Sequence, residues 1–99
     1  MNTPWGEADS ITKHAEGIIE VGTPSHGGIG ISGEAAKQLS PQAKAIAIRA
    51  GDTWWFEEDC DWAVAVAEFP DVFSDRNREY AIESLARWNP DYEHQLTLA

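Results

Sequence analysis

The residues of this chain best suited to metal binding or charged recognition are a short run of carboxylates. Residues 57–61 read Glu-Glu-Asp-Cys-Asp, so four acids flank the only cysteine. With an imidazole from His26 or His14, such acids can hold a divalent metal. They can also bind Arg and Lys side chains of a partner, because a cation relieves their mutual repulsion. They can equally form a solvated turn that caps a helix.

The metal alternative is the weakest of these three on spacing. Adjacent acids along one chain point in different directions, and the sequence has no His-x-x-x-His pattern and no Asp-x-Asp-x-Asn loop. The run therefore favours either a docking surface or a solvated turn.

The run belongs to a longer acidic segment that carries most of the net charge of −10. Residues 52–75 contain eight acids and no Lys or Arg, whereas all seven Lys and Arg lie elsewhere. The eight are Asp52, Glu57, Glu58, Asp59, Asp61, Glu68, Asp71 and Asp75. Such a segment repels nucleic acid and anionic lipid, and it attracts basic surfaces, including those that normally hold nucleic acid.

Two further patterns contain residue types found in catalytic sites, but their spacing and surroundings argue against catalysis. Ser25 and His26 lie beside the twin glycines 27–28, yet neighbouring side chains rarely form a nucleophile and base, and no G-x-S-x-G elbow exists. A phosphate loop would need a following Lys-Ser/Thr, so a structural hairpin turn is favoured. Cys60 lies between Asp59 and Asp61, whose negative charge suppresses the thiolate, so no nucleophilic role is expected.

Five tryptophans are a second possible source of binding energy: Trp5, Trp54, Trp55, Trp62 and Trp88. Most should be buried in the core, at ~150–250 Å² each. Trp54 and Trp55 are adjacent, so in a strand they point to opposite faces. We predict that Trp54 is the outward one and anchors a partner beside the acidic segment.

The elements that position these residues divide into a β part and a helical part. Glycine-punctuated, Ile-rich sequence predicts three antiparallel strands at about 8–14, 17–23 and 28–32. Thereafter the pattern predicts a short helical turn at 33–39, a helix from Ser40-Pro41 to Gly51, and a strand or extended lead-in from Thr53 to Phe56. A nearly all-apolar helix from Asp59 or Asp61 to Glu68 and a last helix at 75–88 follow. Tyr80, Ala81, Leu85 and Trp88 are expected to form the inner face of the last helix.

These elements predict one α+β domain over residues 1–99: a small antiparallel sheet of about three strands covered by three to four helices. No β-α-β alternation appears, so a parallel sheet is not expected. The tail from about residue 91 is weakly patterned and is expected to fray. A single cysteine, no signal-peptide pattern and no apolar run of about 20 residues lead us to expect a bacterial cytoplasmic protein.

Several strings occur together in the chain: TPWG at 3–6, TPSHGG at 23–28, WFEEDCDWA at 55–63, FP at 69–70 and LARWNP at 85–90. Together they resemble a family of small domains of unknown function encoded on bacterial plasmids, integrative elements and phages. The resemblance brings no catalytic residues and implies a setting of mobile DNA in a bacterial host. Anti-CRISPR and antirestriction proteins are similar in size and charge, which is an analogy that rests on no shared motif.

Three functions remain open on the sequence. The first is an anti-CRISPR inhibitor, without cofactor or metal, that binds a basic nucleic-acid-binding surface of a CRISPR effector and contacts neither nucleic acid nor membrane itself. Its partner-binding residues would be Asp52, Trp54, Glu57, Glu58, Asp59, Asp61, Glu68 and Asp71. The second is an accessory protein- or ligand-binding domain that uses Trp54, Trp55 and the glycine turn. The third is a metal-dependent enzyme built on Glu57, Glu58, Asp61 and His26.

Overall fold

The computed structural model describes residues 1–96, in which seven strands and four helices form an α+β domain. The strands are β1 (Asn2–Thr3), β2 (Gly6–Glu7), β3 (Ser10–Ala15), β4 (Ile18–Gly22), β5 (Gly27–Ile31), β6 (Ile48–Ala50) and β7 (Thr53–Glu57). The helices are α1 (Gly33–Ala36), α2 (Pro41–Ile46), α3 (Trp62–Glu68) and α4 (Asp75–Trp88).

The sheet is antiparallel, as predicted, but the expected number of about three strands is too small. Five strands pair in the order β3-β4-β5-β7-β6, and β1 with β2 forms a separate two-stranded ribbon. The three predicted strands correspond to β3, β4 and β5. The segment from Thr53 to Phe56, predicted as a strand or extended lead-in, lies in β7, which pairs with both β5 and β6.

Strand β6 was not predicted because the sequence analysis extended the preceding helix too far. The helix begins as predicted, with Ser40 Oγ accepting from Ala43 N at 3.1 Å, but it ends at Ile46 rather than at Gly51. Residues 48–50 instead pair with β7 across a turn in which Gly51 takes φ 63°. An alanine-rich pattern is compatible with a helix, but strand pairing in the tertiary structure overrides so weak a preference.

The helix-side face of the sheet holds the main core. Ile18, Ile31 and Phe56 present buried side chains to α3, whose residues 63–66 are fully buried between the sheet and α4. This confirms the prediction of a helix that is apolar on nearly all sides. Helix α4 has the predicted bounds, and Ser74 Oγ caps it by accepting from Asn77 N at 3.1 Å.

The inner face of α4 is narrower than expected. Ala81 and Leu85 are buried, but Tyr80 is 49% exposed and Trp88 is 53% exposed. Arg76 lies over the ring of Tyr80, and Arg87 lies over the ring of Trp88. The two aromatic residues therefore lie on the exposed part of the helix, each in contact with an arginine of the same helix.

The other face of the sheet, called the outer face below, is covered by two indole rings. A Cβ on Gly28 would lie 2.5 Å from Trp5 Cη2, and one on Gly30 would lie 2.7 Å from Trp55 Cζ3. The two glycines thus leave a shallow trough on β5 that these rings fill. Trp5 is held there by the β1–β2 ribbon, whose turn needs Gly6 at φ 114° and an N–H bond from Trp5 to Thr3 Oγ1 at 3.1 Å.

The chain end is partly described. Tyr92 is buried, and Glu93 N donates to Gln42 Oε1 at 3.0 Å, so this part of the predicted tail packs against α2. Residues 97–99 of that tail lie outside the described residues. In the described part of the chain, no helix combines the length and the apolar character needed to cross a lipid bilayer.

Candidate partner-binding surface

Two turns meet at the end of the sheet where β5 begins and β7 ends. Glu57 pairs with Gly28, and Glu58 N donates to Gly27 O at 2.9 Å. The turn before β5 is fixed by Thr23 Oγ1, which accepts from His26 N at 3.1 Å and donates to His26 O at 2.6 Å. Strand register therefore brings His26 next to the acids that follow β7.

His26 lies between two carboxylates of this end. Its Nδ1 is 3.7 Å from Glu57 Oε1 and 3.7 Å from Asp59 Oδ2, and the ligating atoms of the three side chains lie within 4.8 Å of one another. Protonated His26 would form ion pairs here, and neutral His26 would offer a nitrogen to a cation. We call His26, Glu57, Glu58 and Asp59 the acidic end.

The metal set expected from sequence is only partly assembled. Glu57 and His26 do meet, but Asp59 takes the place of Glu58 and Asp61. Glu58 lies on the helix side because alternate residues point to opposite faces. Asp61 accepts a hydrogen bond from Asn89 Nδ2 at 3.1 Å, so its carboxylate joins the start of α3 to the end of α4.

The remaining predicted partner-binding acids do not join this end. Glu68 is partly buried and accepts from Ser40 N at 2.5 Å, from Ser40 Oγ at 3.2 Å and from Tyr92 OH at 2.6 Å. Burial and this bond raise the pKa of Tyr92 well above its ordinary range. Asp71 is exposed between α3 and α4, and Asp52 lies in the β6–β7 turn, separated from the acidic end by the ~13 Å length of β7.

Trp54 and Trp55 point to opposite faces, as alternation predicts. Trp54 is the more exposed of the two, but it faces the helix side, where Lys44 Nζ and Arg49 Cζ lie 5.4 Å and 5.0 Å from its ring centroid. Trp55 is only 4% exposed, because Trp5 covers it on the outer face. The two indoles and the glycine turn therefore do not form one binding site, and Trp54 lies beside cations rather than acids.

The acidic end adjoins a cavity that the sequence did not indicate. It has a volume of about 140 Å³ and lies between the sheet and helices α3 and α4. Its lining residues are Glu20, Gly28, Ile29, Glu58, Trp62, Val66, Phe73 and Asn77. Strand periodicity would place Glu20 and Glu58 on one face, but only once the register of β4, β5 and β7 is known.

Cys60 is unsuited to nucleophilic chemistry, in agreement with the sequence prediction. Desolvation, followed by the charges of Asp61 and Glu57, raises the pKa of its thiol to about 11. Its Sγ lies 3.9 Å from Glu57 Oε2. At neutral pH the side chain is therefore a neutral, weakly polar packing group.

Comparison with known proteins gives one match. The family model described as "Domain of unknown function (DUF7007)" matches residues 1–98. No curated protein and no solved structure matches the chain. The match agrees with the expected membership of a family of small domains of unknown function and covers nearly the whole chain.

Proposed function

The chain belongs to the DUF7007 family, and we propose that it is a non-enzymatic inhibitor whose acidic end docks on a basic surface of a nucleic-acid-handling complex. A surface that holds nucleic acid presents Arg and Lys in positions that carboxylates can also satisfy. A protein that occupies those cations excludes DNA or RNA by direct competition.

One observation carries this proposal: the carboxylates of the acidic end have no internal cation other than His26. Some exposed acids elsewhere are paired, as in Lys13 with Glu16 and Lys37 with Glu34, and unpaired ones such as Asp52 and Asp71 lie apart from one another along the chain. Within residues 1–96, no Lys or Arg forms an ion pair with Glu57, Glu58 or Asp59. Unpaired carboxylates at and just after the end of a strand can bind a cationic partner without first breaking an internal ion pair.

The resemblance to domains of mobile elements suggests which complex would be the target. Such elements benefit from proteins that disable host defence, and a CRISPR effector holds its guide and target through many Arg and Lys contacts. We therefore propose a CRISPR effector as the partner and inhibition of DNA binding as the outcome.

A DNA-binding assay with purified effectors of several types tests the proposal. The wild-type protein should form a stable complex and lower DNA affinity, and Glu57→Lys with Glu58→Lys should abolish both effects. The matched control is Glu16→Lys with Glu34→Lys, which changes net charge equally at side chains that are 94% and 86% exposed. Unchanged DNA affinity and no complex across the effector types would reject the proposal.

A divalent-metal site is the second candidate, favoured by the 4.8 Å grouping of His26, Glu57 and Asp59. One imidazole and two carboxylates could hold such an ion only with further ligands from water or a partner. Metal analysis of the untagged protein after dialysis tests it. Stoichiometric metal that His26→Ala removes would support this candidate, and metal-free protein would reject it.

A further inference from the structure

The lining of the cavity beside the acidic end is partly polar and partly apolar. Glu20, Glu58 and Asn77 supply two carboxylates and an amide, while Ile29, Val66, Phe73 and Trp62 supply aliphatic and aromatic surface. Such a lining suits a flat cationic group, whose N–H edge can meet the carboxylates while its faces meet apolar surface.

The polar side chains of this lining have hydrogen-bonding capacity that the protein itself does not use. Within residues 1–96, neither the Glu58 carboxylate nor the Asn77 side-chain amide forms a hydrogen bond, although the backbone N–H of each is bonded. Glu20 uses one oxygen, Oε1, in a contact of 2.8 Å with His14 Nε2. Carboxylate oxygens of Glu20 and Glu58 are thus available to a ligand in the cavity.

The volume matches one amino-acid side chain. A cavity of about 150 Å³ holds benzene, which has six heavy atoms. An arginine side chain beyond Cβ also has six, and its planar guanidinium offers five N–H donors to the two carboxylates and can stack on Trp62. Lysine is shorter and presents a single point charge, so it would leave part of the cavity unfilled.

We propose that this cavity receives the side chain of one arginine from the docking partner. The inference rests on the proposed function, since Glu58 belongs to both the acidic end and the cavity. It deepens that function by naming the residue type at the centre of the interface. A fully surrounded Arg with charge-assisted bonds is the kind of contact that dominates interface energies.

The test uses small probes that need no partner protein. n-Propylguanidinium and capped arginine (N-acetyl-arginine methylamide) are titrated into the folded protein while the Trp62 indole N–H and Gly28 amide signals are followed by NMR. Both probes should shift these signals saturably, and n-propylurea, which is neutral and of similar shape, should not. Capped arginine separates a side chain of a polypeptide from a free small cation: if only n-propylguanidinium binds, the ligand is not a partner's arginine and the proposal fails.

Two variants complete the test. Glu20→Gln with Glu58→Gln keeps the shape of the cavity and should weaken both probes at least about tenfold, as expected for loss of charge-assisted bonds. The matched control, Glu16→Gln with Glu34→Gln, removes the same charge outside the cavity lining and should leave probe affinity unchanged. Equal affinity for wild-type and the Glu20→Gln, Glu58→Gln variant, or no saturable shift, would overturn the inference. A failed effector assay with positive probe binding would instead reject the proposed function while leaving an arginine-binding cavity established.

Discussion

The indole of Trp5 meets the indole of Trp55 edge to face, with ring centroids 5.7 Å apart and an interplanar angle of 83°. The contact joins two residues that are far apart in the sequence, and it depends on Gly28 and Gly30, whose missing side chains leave room for both rings. The outer face of the sheet therefore has its own small core, separate from the one beneath the helices.

Gly30→Ala should destabilise the fold. The three atoms nearest to the new Cβ all belong to the Trp55 ring, at 2.7–3.0 Å, and that ring cannot move far because Trp5 lies against it. We expect a loss of about 1–3 kcal/mol in the free energy of unfolding, as in other overpacked sites. Gly22→Ala is the matched strand control, since its nearest neighbour is the rotatable Ser10 Oγ. Urea denaturation that shows equal stability for the two variants would contradict this account of the trough.

Glu68→Ala should cost stability rather than partner binding. Its carboxylate accepts from Ser40 N and from Tyr92 OH, and truncation leaves these donors without their acceptor. A loss of about 1–3 kcal/mol is expected. Asp71→Ala, at an exposed acid of the same segment, should change stability by less than about 0.5 kcal/mol. The melting temperatures of both variants test this prediction, and equal values would show that the Glu68 carboxylate does not stabilise the fold.

Docking through the acidic end should slow as salt is added. Raising ionic strength from about 0.01 M to about 0.15 M shortens the screening length from about 30 Å to about 8 Å. Because charge complementarity acts mainly on encounter, the association rate should fall more than the dissociation rate rises. Glu57→Gln with Glu58→Gln should flatten this dependence. An association rate with the effector that ignores salt would exclude electrostatic docking.

Cys60 should resist alkylation in the folded protein. Its folded pKa of about 11 exceeds the ordinary value of 9.0, so the thiolate is scarce at pH 8 and should appear only as the pH approaches 11. By the same linkage, the contribution of the neutral thiol to stability is complete below pH 9 and is lost as the pH rises through the folded pKa. Iodoacetamide kinetics with and without urea check this. Equal rates at pH 8 in the two conditions would refute a suppressed thiolate.

Local signals in the sequence predicted those parts of the structure that depend on neighbouring residues. Ser40-Pro41 and Ser74 mark helix starts correctly, since a cap is a contact within one turn. The strand β6 was missed because its identity depends on pairing with β7. Tyr80 and Trp88 of α4 were wrongly predicted to be buried, because helical periodicity locates the buried face of a helix but not its width.

The candidate site likewise has one part that the sequence predicts and another that depends on the tertiary fold. Glu57, Glu58 and Asp59 lie together because they are contiguous, and the sequence could identify them. Glu20 and Asn77 come from distant segments, and only strand register and helix packing bring them to the cavity. The surroundings of Trp54 likewise depend on Lys44 and Arg49, which local alternation does not locate.

The cover that Trp5 provides has a consequence for the order of folding. Trp5 is synthesised before Gly28 and Trp55, the two residues that its ring contacts. The β1–β2 ribbon shares no ladder with the five-stranded sheet, so it can detach while that sheet stays intact. We therefore expect amide protons of residues 2–7 to exchange through a local opening, well before those of β4, β5 and β7. In that open form Trp55 would become exposed beside Ile48, which is already 42% exposed, and the two would form a larger apolar patch. The ribbon therefore protects the sheet against association with another molecule through this face.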